Sequence, residues 1–206
     1  MMNNAAAGVA LAEFPATVKG VNAVSPGKPR SGGVNLSLRS EELRTPIGTL
    51  IILTDEQDRV RAVDWTDYRD RLQRLLRLHY GWDGEALPRR ERSSLGAQAL
   101  DAYFAGDLAA LDTVPAATNG TEFQRSVWKA LRRIPAGAPW SYSQLAATIG
   151  RPAAVRAVGL ANGANPIGII VPCHRVIGAN GSLTGYGGGI ERKRWLLDFE
   201  GGARNA

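Results

Sequence analysis

The number of cysteines is the sequence feature that most constrains this fold. Cys173 is the only cysteine in 206 residues. A single thiol has no partner for an internal disulfide, and it cannot build a zinc site from several cysteines. An apolar core must therefore hold the chain together, and its 44% hydrophobic content is typical of globular proteins. A chain of this length is expected to form one domain or two small ones.

The thiol itself has two possible uses. Free cysteine is often an inert, buried side chain, but it becomes a nucleophile where a base or a positive charge makes the thiolate available. His174, one of two histidines in the chain, follows directly. Adjacent side chains on a regular strand point to opposite faces. A Cys173–His174 pair therefore needs a bend, which Pro172 can introduce, or a bridging water.

The first half of the chain has the pattern of a small α/β domain. Residues 1–38 are rich in small and polar residues without periodicity, which predicts a disordered tail. Short strands are predicted over residues 43–44, 49–53 and 59–65, and they should form a small antiparallel sheet. Helices are predicted over residues 68–80 and from Ser93 or Ser94 to about Phe104, and residues 112–120 have the composition of a linker. We therefore expect a domain over residues 39–117.

The second half, residues 118–206, has mainly helical signals. Thr121 and Ser141 are candidate N-caps, and a third helix is predicted over residues 153–164 after a Gly-Arg-Pro turn at 150–152. Two short helices joined by such a turn are typical of a helix-turn-helix. An extended run is predicted over residues 167–171, a glycine-rich loop over 185–189, and a final helix over 191–200. The expected fold is a mainly α domain with a short strand pair.

Positive charge is concentrated in this second half. Residues 121–206 contain 11 Lys and Arg and 4 Asp and Glu, a net charge of +7, whereas residues 1–120 have a net charge of −1. The excess favours a polyanionic partner or is simply a solvated basic surface. The helix over residues 153–164 is rich in Ala and Gly, so it could pack closely on protein or enter a minor groove. Arg156 is its one long cation.

Membrane and secretory signals are not found in the sequence. No apolar run approaches the roughly 20 residues that a membrane span needs. Residues 5–12 are apolar but too short, and they lack the preceding basic residues of a secretory signal. We therefore expect a cytoplasmic protein without a membrane partner.

A series of short motifs runs in order through the second half. By this series the chain resembles the O6-alkylguanine-DNA alkyltransferases, also called methylated-DNA–protein-cysteine methyltransferases. The resemblance is dense over residues 118–201 and loose over 40–117. The motifs are GTEFQ at 120–124, VW at 127–128, IP at 134–135, SY at 141–142, RAVG at 156–159, NP at 165–166, IVPCHRV at 170–176, WLL at 195–197 and EG at 200–201.

The resemblance implies direct-reversal DNA repair by a suicidal enzyme. The alkyl group of O6-alkylguanine, and of O4-alkylthymine as a secondary substrate, would move from double-stranded DNA to Cys173. His174 would act as a base through a water, and Glu200 would orient His174. The protein would work once, as a monomer, without metal or organic cofactor.

The resemblance also implies roles for residues around the thiol and on the DNA-binding surface. Asn165 would hold the turn beside the thiol, Tyr142 would donate a proton to the guanine ring, and Arg156 would replace the flipped base. Gly187 and Gly188 stand where some relatives have a serine that bonds the guanine oxygen, so backbone N–H groups would have to replace it. The expected DNA-contacting residues are Arg156, Ala157, Gly159, Ser141 and Arg151, and the expected pocket residues are Tyr142, Val171, Pro172, Tyr186, Gly187 and Gly188.

Two other functions and one metal site are less consistent with the sequence. A Cys-His hydrolase would use the same pair with turnover, but it would leave the basic helix pair unexplained. A non-catalytic DNA-binding relative would recognise damage and recruit repair factors, but such relatives replace the cysteine. Some relatives carry a zinc site in the N-terminal domain, whereas here a lone His79 cannot close one and is expected to lie on a helix face.

Overall fold

A computed structural model describes residues 36–82 and 86–202 of the chain. Most of the predicted tail, residues 1–35, lies outside this range. Leu38 is buried against the sheet together with Ile51 and Leu53. The folded part of the chain therefore begins before residue 39, because an apolar side chain at position 38 completes the packing on that face.

A three-stranded antiparallel sheet forms the first half. Its strands are β1 (Arg39–Thr45), β2 (Gly48–Thr54) and β3 (Val60–Trp65), in the order β1-β2-β3. β1 is longer than predicted because it pairs with β2 over its full length, from Thr45 opposite Gly48 to Arg39 opposite Thr54. All of β3 is buried, so both faces of this strand contribute to the core.

Two helices cover opposite faces of the sheet. α1 (Arg69–Tyr80) packs Leu72 and Leu76 against the face that contains Ile51 and Leu53. α2 (Leu95–Phe104) starts at Ser94, whose side chain accepts a hydrogen bond from the Ala97 N–H at 3.0 Å, and it packs on the other face. The predicted α/β arrangement of this half is confirmed.

Four helices and a strand pair form the second half. α3 (Glu122–Leu131) and α4 (Tyr142–Thr148) begin with capping boxes at Thr121 and Ser141, as the sequence predicts. α5 (Val155–Gly163) packs on both of them, and α6 (Ile190–Gly202) ends the described chain. β4 (Trp140–Ser141) and β5 (Val176–Ile177) pair in parallel. The predicted mainly α half with a short strand pair is therefore confirmed.

The turn between α4 and α5 is longer than the sequence predicts. It spans residues 149–154, with Gly150 at φ 71, and α5 starts two residues after the expected residue 153. Pro152 has no backbone N–H, and the Ala154 N–H closes a separate turn onto the Arg151 carbonyl at 2.9 Å. These features explain why α5 starts later in the sequence than expected.

Hydrogen bonds along the outer edge of β3 join the two halves. Val60 pairs with residues 115–117, in the segment predicted to be a linker, and that segment therefore lies fixed along the sheet. Val63 donates its N–H to the Pro166 carbonyl at 2.9 Å and accepts from the Gly168 N–H at 3.0 Å. The start of the predicted extended run is thereby attached to the first half.

The prediction of an extended run over residues 167–171 is wrong. Ile167 forms only a single bridge with Val63, and residues 168–170 form a turn, in which Ile169 has φ 65, a left-handed conformation that is rare for a β-branched residue. The turn, and not a strand, leads the chain into Cys173.

Within the described residues, no helix is long and apolar enough to cross a membrane.

Candidate active site around Cys173

Cys173 lies at the start of a 3-10 turn and not on a strand. Residues Cys173–Arg175 form this turn directly after Pro172, and the Cys173 N–H donates to the Val171 carbonyl at 2.8 Å. Cys173 is 5% exposed and His174 is fully buried. This turn supplies the bend that a cysteine followed directly by a histidine requires.

Glu200 connects His174 to two other side chains, Tyr103 and Arg175, through hydrogen bonds. His174 Nε2 lies 2.9 Å from Glu200 Oε1, and Tyr103 donates its hydroxyl to the same oxygen at 2.9 Å. The Arg175 guanidinium donates from Nε to Oε2 at 2.9 Å and from Nη2 to Oε1 at 2.8 Å. Arg175 Nη1 also donates to the Ile134 carbonyl at 2.7 Å. The carboxylate is fully buried, and both of its oxygens have hydrogen-bond donors.

These contacts set the charge state of the pair. Burial by itself raises the pKa of Glu200, but the hydrogen bonds and charges of His174 and Arg175 lower it to about 2. Burial lowers the pKa of His174, against the opposing effect of Glu200. At neutral pH the pair is thus a carboxylate and a neutral imidazole. An imidazole that donates from Nε2 has its lone pair on Nδ1.

His174 Nδ1 is the imidazole nitrogen that Glu200 does not bind, so its lone pair can accept a proton. It is buried, and no hydrogen-bonding group of the described chain contacts it. Buried polar atoms usually have a partner, which is often an ordered water. A neutral imidazole with its basic nitrogen unpaired, one residue from a thiol, can take up a proton.

The surroundings of the thiol act on its ionisation in opposite directions. Burial raises the pKa of Cys173. The Asn165 amide and the cations of Arg71 and Lys193 counteract this increase, whereas the Asp64 carboxylate adds to it. The thiol therefore stays protonated at rest, so reaction requires a base.

Asn165 holds the turn that precedes the thiol. Its Nδ2 donates to the carbonyls of Ile167 at 3.2 Å and Val171 at 2.8 Å, and its Oδ1 accepts from the Ile167 N–H at 3.0 Å. The side chain is fully buried. These bonds span the left-handed Ile169, and unusual backbone conformations persist where surrounding contacts impose them.

A small cavity opens beside the thiol. Three of the predicted pocket residues line it together with Cys173, namely Tyr186, Gly187 and Gly188. Val171 and Pro172 are buried nearby but do not line this cavity, and neither does Tyr142. The remaining wall comes mostly from the first half of the chain. Its residues are Leu50, Val63, Asp64, Trp65, Arg71, Gly168 and Ile169.

Tyr142 lies at the start of α4, directly after the cap residue Ser141. Its hydroxyl accepts a hydrogen bond from Thr184 Oγ1 at 3.1 Å, which leaves its own proton free for another acceptor. A Cβ added to Gly159 of α5 would meet the Tyr142 ring at 3.8 Å. Gly159 therefore lies in contact distance of this tyrosine and is only partly exposed.

The exposed face of α5 carries small side chains and one long cation. Arg156 and Ala157 are exposed, as is Arg151 in the preceding turn, whereas Val158 packs into the core. Leu160, 77% exposed, lies on the same helix. The two arginines make this surface basic.

The sequence does not identify three residues that lie against the site. Tyr103 bonds Glu200 from α2, and Arg71 of α1 lines the cavity beside the thiol. Lys193 is fully buried and donates from Nζ to the carbonyls of Val176 at 2.6 Å and Thr184 at 3.1 Å. No local pattern marks any of them, because only the folded chain brings them next to the site. By contrast, His79 lies on the buried face of α1, as predicted.

Comparisons with known proteins agree with this geometry. Residues 122–202 match the profile of the 6-O-methylguanine DNA methyltransferase, DNA binding domain. The chain is 56% identical over 167 residues to a methylated-DNA–protein-cysteine methyltransferase of Salmonella typhimurium, covering 81% of this chain and 97% of that protein. A protein of the same description from Methanosarcina acetivorans is 46% identical over 157 residues, covering 76% and 94%.

A solved structure is also similar. The crystal structure of Mycobacterium tuberculosis OGT in complex with DNA superimposes with a TM-score of 0.66 at 43% identity. The similarity covers 81% of this chain and 93% of that one. Both halves of the fold therefore contribute to the match.

Proposed function

Because the chain belongs to the methylated-DNA–protein-cysteine methyltransferase family, we propose that it repairs DNA by transferring the alkyl group of O6-alkylguanine to Cys173. The observation that carries this proposal is the buried Cys173 thiol beside an imidazole whose Nε2 is held by Glu200 and whose Nδ1 is free of protein partners among the described residues. O4-alkylthymine, with a similar alkylated oxygen, is the proposed secondary substrate.

The first step is removal of the thiol proton. A water between Cys173 and His174 Nδ1 passes the proton to the imidazole, and Glu200 stabilises the imidazolium that results. The Glu200 carboxylate stays ionised throughout because Arg175 remains bonded to it. This general-base step is needed because burial raises the pKa of the thiol.

The second step is a displacement at the alkyl carbon. The Cys173 sulfur forms a bond to that carbon while the carbon–O6 bond breaks, and the bonding electron pair moves onto the guanine. Tyr142 supplies a proton to the guanine ring, for which its hydroxyl hydrogen is free while Thr184 donates to its oxygen. The products are unmodified guanine and an S-alkylcysteine, and the proton taken up by His174 returns through solvent to Tyr142, so that both side chains end neutral.

Access to the alkylated base requires that it leaves the duplex, since attack inside the base stack is blocked. Apart from Leu160, the exposed side of α5 carries mostly small residues, which suits the minor groove of double-stranded DNA, and Arg156 on this side would fill the space of the extruded base. Ala157, Gly159, Ser141 and Arg151 provide the surrounding contact surface. The similar Mycobacterium tuberculosis protein forms a complex with DNA, which supports this assignment.

The reaction is expected to occur once per molecule. Water does not cleave the thioether at useful rates, and the chain contains no second cysteine to resolve it. We further propose that the protein acts as a monomer in the cytoplasm. The proposed steps use the side chains of the protein and one water, and we propose no cofactor for them.

Intact mass spectrometry tests the proposal. The protein is incubated with excess duplex oligonucleotide that carries one O6-methylguanine, and an otherwise identical unmethylated duplex is the control. We expect a mass gain of one methyl group, none with Cys173→Ala, and one repaired base for each protein molecule. Repair of many bases per molecule would indicate a turnover enzyme, and DNA binding without an adduct would indicate a damage-recognition protein. Either result would overturn the proposal.

A further inference from the structure

We propose that Arg71 of α1 is a positioning residue for alkyl transfer, which fixes the turn beneath the thiol and the backbone of the glycine-rich loop at residue 187. The inference rests on the proposed function of Cys173. It assigns a part in that reaction to the first half of the chain, which the alkyl-transfer steps above do not use.

The hydrogen bonds of Arg71 link α1 to the thiol turn. Nη2 donates to the carbonyls of Gly163 at 3.2 Å and Asn165 at 3.1 Å, at the end of α5. The Asn165 side chain then bonds the backbone on to Val171, two residues before Cys173. A displacement of the guanidinium would therefore be transmitted to the backbone that carries the thiol.

A buried carboxylate holds the guanidinium in this place. Arg71 Nη1 donates to Asp64 Oδ2 at 2.6 Å, and Asp64 is 3% exposed. Burial raises the pKa of Asp64, whereas Arg71 lowers it. Loss of the arginine would leave a buried carboxylate without its cation, so the two residues act as a unit.

The same guanidinium occupies the space beside Gly187. A Cβ added there would lie 2.3 Å from Arg71 Cζ and 2.4 Å from both Nε and Nη2. The end of a flexible side chain normally moves away from such a clash at little cost. Here it cannot move without losing its bonds to Asp64, Gly163 and Asn165, so the fixed arginine requires glycine at position 187.

Arg71 also contributes charge to the cavity that it shares with Cys173. The other ionisable groups acting on the thiol are Lys193, which like Arg71 favours the thiolate, and Asp64, which opposes it. Tyr186 lines the cavity, and burial raises its pKa well above the ordinary value, so it stays neutral. His174, also neutral, is the base. Removing the cation at position 71 should therefore disfavour the thiolate.

A double-mutant cycle tests the positioning role. Single-turnover rates of methyl transfer from duplex O6-methylguanine to Cys173 are measured by intact mass, at saturating DNA, for Arg71→Ala, Gly187→Ala and the double variant. We expect each single variant to be slower by about tenfold, and the double variant to be no slower than Arg71→Ala alone. Gly185→Ala is the matched control, because its added Cβ meets nothing within 4 Å and should leave the rate unchanged.

The pH profile separates positioning from general stability. Arg71→Met should move the rise of the transfer rate with pH to higher pH, whereas Arg71→Lys should keep the wild-type profile with a lower rate. If Arg71→Ala does not fold, Gly187→Ala and Arg71→Lys still test the contact, because both keep a cation beside Asp64. Wild-type rates in these variants, or rate losses that multiply in the double variant, would overturn the inference. Failure of the wild-type protein to methylate Cys173 would instead overturn the proposed function.

Discussion

At the scale of single residues, Glu200 is a carboxylate held entirely inside the protein. It is fully buried and accepts hydrogen bonds from Tyr103, His174 and Arg175. A buried carboxylate is tolerated only where such partners compensate for the lost hydration. Its ionised form is therefore tied to the folded state.

This coupling predicts an acid-sensitive contribution to stability. The pKa of Glu200 is lowered from its ordinary value of 4.5 to about 2. A lowered pKa means that the carboxylate contributes stability above about pH 4.5, and that this contribution is lost as the pH falls towards about 2. By linkage it is on the order of 3 kcal/mol. Urea unfolding should show Glu200→Gln to be less stable than the wild type at pH 7, with a difference that narrows as the pH is lowered through this window. A pH-independent difference would contradict the prediction.

At the scale of elements, the DNA contacts proposed for α5 are separate from the chemistry proposed at Cys173. Arg156 is exposed on this helix, whereas His174 and Glu200 are buried. We expect Arg156→Ala to slow repair of duplex O6-methylguanine by about tenfold or more, because this side chain is proposed to replace the flipped base. Its reaction with free O6-benzylguanine, measured by the same adduct mass, should change little. Arg133→Ala, which removes an exposed cation outside α5, is the control, and equal losses on both substrates would contradict the role.

The elements also show what could be predicted from sequence. The capped helices α2, α3 and α4 begin where Ser94, Thr121 and Ser141 predict, because capping depends on residues three positions apart. The turn at residues 167–171 could not be predicted in this way. Its apolar run is typical of a strand. The left-handed Ile169 is imposed by the edge of β3, which is distant in sequence, together with the nearby Asn165 side chain.

At the scale of the whole molecule, the first half of the chain supports the site in the second. β3 pairs with residues 166–168, Arg71 bonds the end of α5, and Tyr103 bonds Glu200 across 97 positions of sequence. The motifs around Cys173 therefore predicted the thiol, the imidazole and the carboxylate, but not these supports. Their partners are fixed by tertiary packing, and neither residue type nor local spacing distinguishes Tyr103 from other core aromatics.

Tyr103→Phe tests whether this support affects the chemistry as well as the stability. The substitution keeps the buried ring, which packs edge-on against Phe104 and Phe199, and removes only the hydrogen bond to Glu200. We expect a loss of about 1–3 kcal/mol in unfolding free energy and a several-fold slower methyl transfer to Cys173, since a hydrogen bond to a charged group is lost.

Tyr80→Phe provides the matched comparison. The Tyr80 hydroxyl also joins distant segments, since it is shared between the carbonyls of Arg61 at 3.0 Å and Ala117 at 3.2 Å. Neither partner belongs to the His174–Glu200 pair. This variant should lose less stability in the same urea titration, because the partners are neutral carbonyls, and it should keep the wild-type transfer rate. If both variants lose stability and neither loses rate, the first half of the chain is a scaffold only. A rate loss confined to Tyr103→Phe places that half within the machinery that holds Glu200, and therefore His174, in register with the thiol.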